Sequence, residues 1–271
     1  MKYLINHQTY YHYEIQVGHT VQELRRTPAA GPMQRIERWQ LQAPSQLMPS
    51  RDGFGNLVHT FTLAWPSDTL VIQASGVVET LKPVESFIDD AEPGRHRVAP
   101  HYYMTATPLT ELLDGIAEFA APFLGKGKVG AAELLALTAA VADKVRYDAK
   151  ATNVFTSAGE AFGIGAGVCQ DQAHVLIACC RAHGLPARYV SGYFHAPNAP
   201  DLASHTWADI CLDAQEQRWA SLDVTHRCLT DERHVRLALG RDYCSAAPIR
   251  GVRRGGGDES LRVSVQIKTL G

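Results

Sequence analysis

Long apolar runs are missing from this 271-residue sequence, and no window approaches the roughly 18 apolar residues that a membrane helix needs. No membrane partner is therefore expected. A surplus of either charge is missing too: 26 Lys+Arg stand against 28 Asp+Glu, a net charge of −2. Without a basic excess, sequence-independent phosphate binding has no driving force, and nucleic acid is not expected as a partner. The short cluster Arg250, Arg253 and Arg254 reads as a solvated loop. The six cysteines form no CxxC pair and no framework spacing, which excludes a disulfide-stapled secreted domain and points to reduced thiols in the cytoplasm. The opening MKYLINHQTYYHYEIQV has no uninterrupted apolar core and reads as a strand rather than a signal peptide. A P-loop, a dinucleotide fingerprint, an HExxH helix and a GxSxG elbow are all absent. Cys and His are not clustered at the spacings that zinc sites use, so no metal and no cofactor is expected.

What is present is an ordinary globular composition, 45% hydrophobic and 20% charged, in a length suited to one large or two small domains. Residues 1–82 read as an all-β N-terminal domain. Tyr3, Ile5, His7, Thr9 and Tyr11 alternate with their neighbours, further β-rich runs cover 36–43, 57–64 and 69–78, and Arg51-Asp-Gly-Phe-Gly-Asn56 marks a tight turn. Its histidines, His7, His12, His19 and His59, have no Cys or carboxylate beside them. Residues 83–108, rich in proline and charge, read as a linker. In 109–271 the spacing predicts core helices over 109–124 and 130–147 and a strong helix over 169–183. Strands are predicted at 187–194, 204–212, 218–225 and 261–269, with Gly255-Gly256-Gly257 a flexible tip.

The segment Gly163-Ile-Gly-Ala-Gly-Val-Cys169 carries the clearest chemical signal. A glycine-rich approach ends at Cys169, and the helical pattern begins there, with Ala173, Leu176, Ile177 and Cys180 on one face. Unpaired N–H groups and the helix dipole favour a thiolate at that end, which is what a nucleophile requires. Cys179 and Cys180 sit inside the helix and read as buried thiols. Downstream, Ser204–Ile210 and Arg218–Val224 read as successive strands of a hairpin about the turn Asp213-Ala-Gln-Glu-Gln217. Taking 214 as its centre, His205 and Asp223 are equally offset and fall opposite one another on one face. An Asp beside a His fixes its tautomer and stabilises the imidazolium, the third role of a nucleophile triad. Asp171 points away from the Cys169 face and reads as a first-turn acid, and His174 as structural. His183, His226 and His234 have no better claim than His205. Gln170 is a weak candidate for the oxyanion site, and Arg241-Asp242-Tyr243 reads either as part of the cleft or as an Arg–Asp pair pinning a loop.

Together GVCQDQAHVLIACCRAHGLPARYVSGY (167–193), SHTWADICL (204–212) and RWASLDVTH (218–226) closely resemble the bacterial transglutaminase-like cysteine proteases, whose order of Cys, His and Asp is the one found here. The tail HVRLALGRDYCSAAPIRGVRRGGG (234–257) is similar to theirs, and 7–28 with DGFGN (52–56) resemble the β domain that precedes the core in bacterial members. The resemblance implies an α+β fold, a papain-like transglutaminase core with the Cys-bearing helix packed on an antiparallel sheet, preceded by the all-β domain; 109–271 would be the catalytic part. It implies Cys169 as nucleophile, His205 as general base and acid and Asp223 as its orienter, acting on a peptide or protein substrate. The activity implied is hydrolysis of peptide or isopeptide bonds through a thioester. Protein-glutamine transamidation or deamidation by the same triad, and an inactive binding scaffold, are the alternatives. No calcium loop of the eukaryotic kind is present. Two departures stand out: Asp223-Val-Thr-His226 replaces the family's usual Asp-Pro-Thr-Asn, and Thr206 replaces the common Ala after the histidine. The N-terminal domain shows no chemistry of its own and is expected to narrow the cleft or dock a substrate.

Overall fold

The computed structural model describes residues 1–82, 88–89, 98–125, 129–196 and 204–270. Half of the predicted linker 83–108 lies outside them. The chain opens with β1 (Lys2–Leu24), a strand of 23 residues. Tyr3, Ile5, His7, Thr9, Tyr13 and Val17, all at odd positions, are buried, and then the buried set changes parity to Thr20, Gln22 and Leu24. The change coincides with a register shift between Val17 and His19, where an extra residue turns the following side chains to the other face.

Around β1 lie β2 (Gln34–Gln42), β3 (Met48–Arg51), β4 (Leu57–Leu63) and β5 (Ser67–Thr80), in the antiparallel order β2-β5-β1-β4-β3. The β3–β4 turn is closed by Asp52, whose Oδ1 accepts the N–H groups of Phe54 and Asn56 at 3.0 Å each, with Gly55 at φ +83°. The two-residue β6 (Ile88–Asp89) pairs far away, with Arg218 and Trp219. A 3₁₀ turn at Pro100–Met104 then sets Tyr103 edge-on against Trp219, ring centroids 5.6 Å apart.

Next come α1 (Asp114–Leu124), α2 (Ala131–Lys144), β7 (Arg146–Tyr147), α3 (Ala158–Ile164), β8 (Ala166–Gly167) and α4 (Cys169–Ala182). They are followed by β9 (Ala187–Phe194), β10 (Ser204–Asp213), β11 (Arg218–Asp223), β12 (Cys228–Leu229) and β13 (His234–Gly240). The second sheet runs β12-β11-β10-β9-β13, all antiparallel. α4 is buried from Gln170 to Arg181 without a break, because α1, α2 and α3 cover what the sheet does not. The sequence pattern predicted one apolar face; the other side is closed by helices, and its polar Arg181 is spent on Thr110 Oγ1 and the carbonyls of Ala187 and Arg241.

After α5 (Tyr243–Ala246) the chain returns: β14 (Ile249–Gly255) ladders onto residues 17–24 of β1 and β15 (Glu259–Leu270) onto residues 2–13. These two strands fall in the segment 109–271, yet they complete the N-terminal sheet. The seam between the two halves is apolar, with Tyr3, Ile5 and Val78 meeting Tyr193, Val235 and Leu237. It is also polar in one specific way. β13 is an edge strand, and two carboxamides fill its outward backbone groups: Gln34 with Arg236 (2.8 Å to both N and O) and Asn56 with Leu239 (2.9 Å to N, 2.7 Å to O). An edge otherwise open to pairing is thereby closed. No helix among the described residues is long and apolar enough to cross a membrane.

Candidate functional site

The local sequence explains why Cys169 opens a helix. α3 ends at Gly165, in the left-handed region at φ +76°. β8 then pairs with β7 in parallel and delivers the chain to Val168. Asp171 reaches back to Val168 N–H at 2.7 Å and takes Thr152 Oγ1–H at 2.6 Å, so the predicted first-turn acid is the cap of α4. Gly167 is required there, because a Cβ would lie 2.6 Å from Asp171 Oδ2. Burial pushes the Asp171 carboxyl up against these hydrogen bonds. Cys169 is the first residue of α4 and is partly exposed.

His205 Nε2 lies 2.7 Å from Asp223 Oδ2. That leaves Nδ1 as the ring nitrogen available to Cys169. Burial opposes the imidazolium, but Asp223, and after it the Cys169 thiol, outweigh burial, and the His205 pKa is raised. The three side chains singled out by sequence are thus brought together. Their register differs by two from the expected one: the ladder pairs Ala208 with Leu222 and Asp209 with Ser221, so Asp223 sits across from 207 and His205 is its diagonal neighbour. A shift of two keeps the face, and the short Asp–His bond survives it.

Two further histidines join the site. His226 Nδ1 lies 2.7 Å and His234 Nε2 3.0 Å from the same Asp223 Oδ2, and His226 N–H reaches Oδ1 at 3.1 Å. Three imidazoles therefore converge on one oxygen of a fully buried carboxylate. Burial alone would push Asp223 up; hydrogen bonds from His205, His226 and His234 hold it far below the usual carboxylate range. His234 is raised, burial being outweighed by Asp223 and Asp231. Phe194 stacks on His226, ring centroids 3.9 Å apart, and touches His205 and His234 as well. The signal for His226 was its position three residues after Asp223, where the family's usual residue is Asn. His234 left no local signal, because the β13–β9 ladder brings it in by pairing it with Phe194.

His205, Asp223 and His234 offer ligand atoms within 4.8 Å of one another. A metal needs such atoms about 2.0–2.2 Å from a common centre. Here the imidazole nitrogens surround the carboxylate oxygen itself, at 2.7–3.0 Å, so the arrangement is that of a hydrogen-bond hub.

The remaining candidates have other occupations. Gln170 donates to Val154 O at 3.1 Å and ties the 153–156 loop to the helix start. His174 is fully buried and accepts Tyr243 N–H at 3.1 Å; burial lowers its pKa to about 4. Asp242 caps α5 through Ser245 N–H, and Arg241 lies over the Tyr102 ring, so the expected Arg–Asp pair does not form. Thr206 bonds Tyr189 OH at 2.7 Å, which gives its extra hydroxyl a buried partner. A cavity of about 900 Å³, lined by Met33, Phe54, Arg188 and Leu239 among others, does not include Cys169, His205 or Asp223.

Known proteins place this architecture. Residues 3–79 match the bacterial transglutaminase-like N-terminal region and residues 117–224 the transglutaminase-like superfamily. The chain is 32% identical over 278 residues to the uncharacterized protein Rv2569c of Mycobacterium tuberculosis, covering 93% of this chain and 87% of that one. It is 29% identical to ML0607 of Mycobacterium leprae, covering 97% of each. Among solved structures, one described as a candidate cysteine protease from Cytophaga hutchinsonii superposes with a TM-score of 0.77 at 24% identity, over 100% of this chain and 91% of that one; the likeness is one of fold. An α+β chain with this N-terminal sheet and a Cys-bearing helix on an antiparallel sheet belongs to the transglutaminase-like superfamily.

Proposed function

We propose that the chain is a cysteine hydrolase of peptide or isopeptide bonds, working through a thioester on Cys169 with His205 and Asp223. The observation that carries this reading is the His205 ring, bonded at Nε2 to Asp223 at 2.7 Å, with the Cys169 thiol near enough to favour its imidazolium. Membership of a superfamily with cysteine-dependent amide chemistry supports it. Cys169 sulfur attacks the carbonyl carbon, and the C–N bond breaks as the imidazolium passes its proton to the leaving amine. The carbonyl oxygen, charged in the tetrahedral intermediate, meets the N–H groups at the start of α4, which have no intrahelical acceptor. Water then gives a proton to His205 and its oxygen to the thioester, releasing the acid and the thiol. The six free cysteines among the described residues support a reducing, cytoplasmic setting.

The test is iodoacetamide labelling with peptide mapping, followed by turnover of peptide amides. Cys169 is expected to alkylate first. Burial pushes Cys179 and Cys228 up to about 12 and Cys211 to about 11, and raises Cys180 and Cys244. His205→Ala should slow Cys169 labelling, and Cys169→Ala should abolish turnover. Turnover that persists in Cys169→Ala, or Cys169 labelling indifferent to His205, would sink the proposal. Incorporation of a fluorescent primary amine in preference to water would assign transamidation instead.

A further inference from the structure

A buried cation without a counter-charge lies where the N-terminal sheet meets the catalytic core. Arg26 follows directly after β1 and is 4% exposed. Its Nη2 donates to Thr9 Oγ1 at 2.9 Å. Nε and Nη1 are buried and have no acceptor. The backbone cannot easily carry this side chain out to water, because Arg26 O accepts Trp39 Nε1–H at 2.9 Å from β2.

None of the groups around it is negative. His7 Nδ1 lies 3.0 Å from Tyr193 OH. His7 Nε2 in turn lies 3.5 Å from Thr9 Oγ1. Burial, and then the Arg26 charge, lower the His7 pKa to about 2, so this imidazole is neutral at neutral pH. Burial pushes Tyr11 and Tyr193 up to about 12 and raises Tyr243, so the phenols keep their protons. The chain Arg26–Thr9–His7–Tyr193 therefore carries a net charge of +1, and no carboxylate among the described residues pairs with it. An ion in a dry interior is strongly unfavourable unless it is paired, and unfilled buried donors add to the cost.

We propose that a compact monovalent anion, a chloride ion or a carboxylate group, binds the Arg26 guanidinium at this seam. Nη1–H, buried and without an acceptor, donates to it. The site lies between β1 and β9, where the two halves of the molecule meet, and its existence does not depend on what Cys169 does.

The experiment is thermal unfolding of the full chain at constant ionic strength, with sodium chloride or sodium acetate replacing the sodium salt of a bulky sulfonate buffer. A saturable rise in Tm is expected with chloride, acetate or both, and the same titration of Arg26→Met should be flat. A rise with chloride alone identifies a halide site, and one with acetate alone a carboxylate site. A wild-type Tm indifferent to both anions overturns the proposal, as does an equal rise in Arg26→Met. Should that variant fail to fold, wild-type crystals soaked in bromide or in acetate decide the matter. An anion at Nη1 is expected, and water alone at saturating concentrations of both would overturn it.

Discussion

Asp223 accepts more than a triad carboxylate needs. A single donor from His205 would orient that ring; two further imidazole N–H groups on the same oxygen, and a backbone N–H on the other, immobilise the carboxylate itself. They also divide its charge. A carboxylate shared among fewer donors is a stronger base and holds the His205 imidazolium more tightly, at the expense of looser geometry. His234→Ala should therefore lower stability by about 1.5–3 kcal/mol, the value of a hydrogen bond to a charged group. On the proposed mechanism it should also lower kcat/KM and move the alkaline limb of the pH–rate profile upward. His234→Gln, which can donate from nearly the same place, should recover most of both. Urea unfolding and pH profiles of the two variants check this, and a profile unmoved in His234→Ala would confine His234 to packing.

The start of α4 is where element and chemistry are one problem. Gly167→Ala would drive Asp171 off its cap, since the new methyl lies 2.6–2.9 Å from the Asp171 side chain. A lost cap costs about 1 kcal/mol, up to about 2. The larger effect should be on Cys169, the first residue after the cap, read as slower alkylation at pH 7 in a protein that still unfolds cooperatively. Unchanged alkylation would mean that the cap does not set the position of Cys169.

How much of such an element is legible depends on where its bonds go. Cys169, the glycine approach and the stop at Gly184 (φ +78°) are local features, and they were readable. The helix predicted from 109 starts only at Asp114, because the preceding residues serve distant partners: Leu109 O accepts Ala158 N–H and Thr110 Oγ1 accepts from Arg181. α3 carried a readable capping box, Ser157 with Glu160, but at seven residues it has too short a pattern to show a period. His234 reaches Asp223 only through the β13–β9 ladder, which no local spacing encodes.

For the whole molecule, two buried neutral histidines set the acid limit of stability. His7 and His174 have folded pKa values of about 2 and about 4, both from burial first, against about 6.5 unfolded. A histidine whose folded pKa is lowered contributes stability that is complete above its unfolded value and is lost as pH falls below it. Each takes up a proton on unfolding, at about 1.4 kcal/mol per pH unit. His205 and His234 act in the other direction, since their raised folded values stabilise below about pH 6.5 and that contribution is lost as pH rises through them. Unfolding free energy should therefore peak near pH 6–7 and fall on both sides. His174→Gln should flatten the acid side between pH 6.5 and 4 by about one proton's worth, measured by urea unfolding across pH. An acid slope identical to wild type would mean that His174 is already charged when folded.

The same scale decides what the N-terminal sheet is for. Read from sequence, it was a separate domain that narrows the cleft or docks a substrate. In the structure β14 and β15 have β1 as their ladder partner, Tyr193, Val235 and Leu237 pack against Tyr3, Ile5 and Val78, and Gln34 and Asn56 fill the edge of β13. β13 begins with His234, so the edge held by these amides also holds the carboxylate hub. A chain beginning at residue 105 would keep Cys169, His205 and Asp223 but lose β1 to β5. Two terminal strands would then lack a ladder, three large side chains would be exposed, and the paired backbone groups of Arg236 and Leu239 would return to water. Each unmet group that stays buried costs about 1–3 kcal/mol, against a total stability of about 5–15 kcal/mol for a domain. The chain 105–271 is expected to fail to unfold cooperatively and to elute as aggregate in gel filtration, with its near-ultraviolet dichroism lost. A monomer that unfolds in one sharp transition and alkylates Cys169 at the wild-type rate would show instead that the half carrying Cys169 stands alone without the N-terminal sheet.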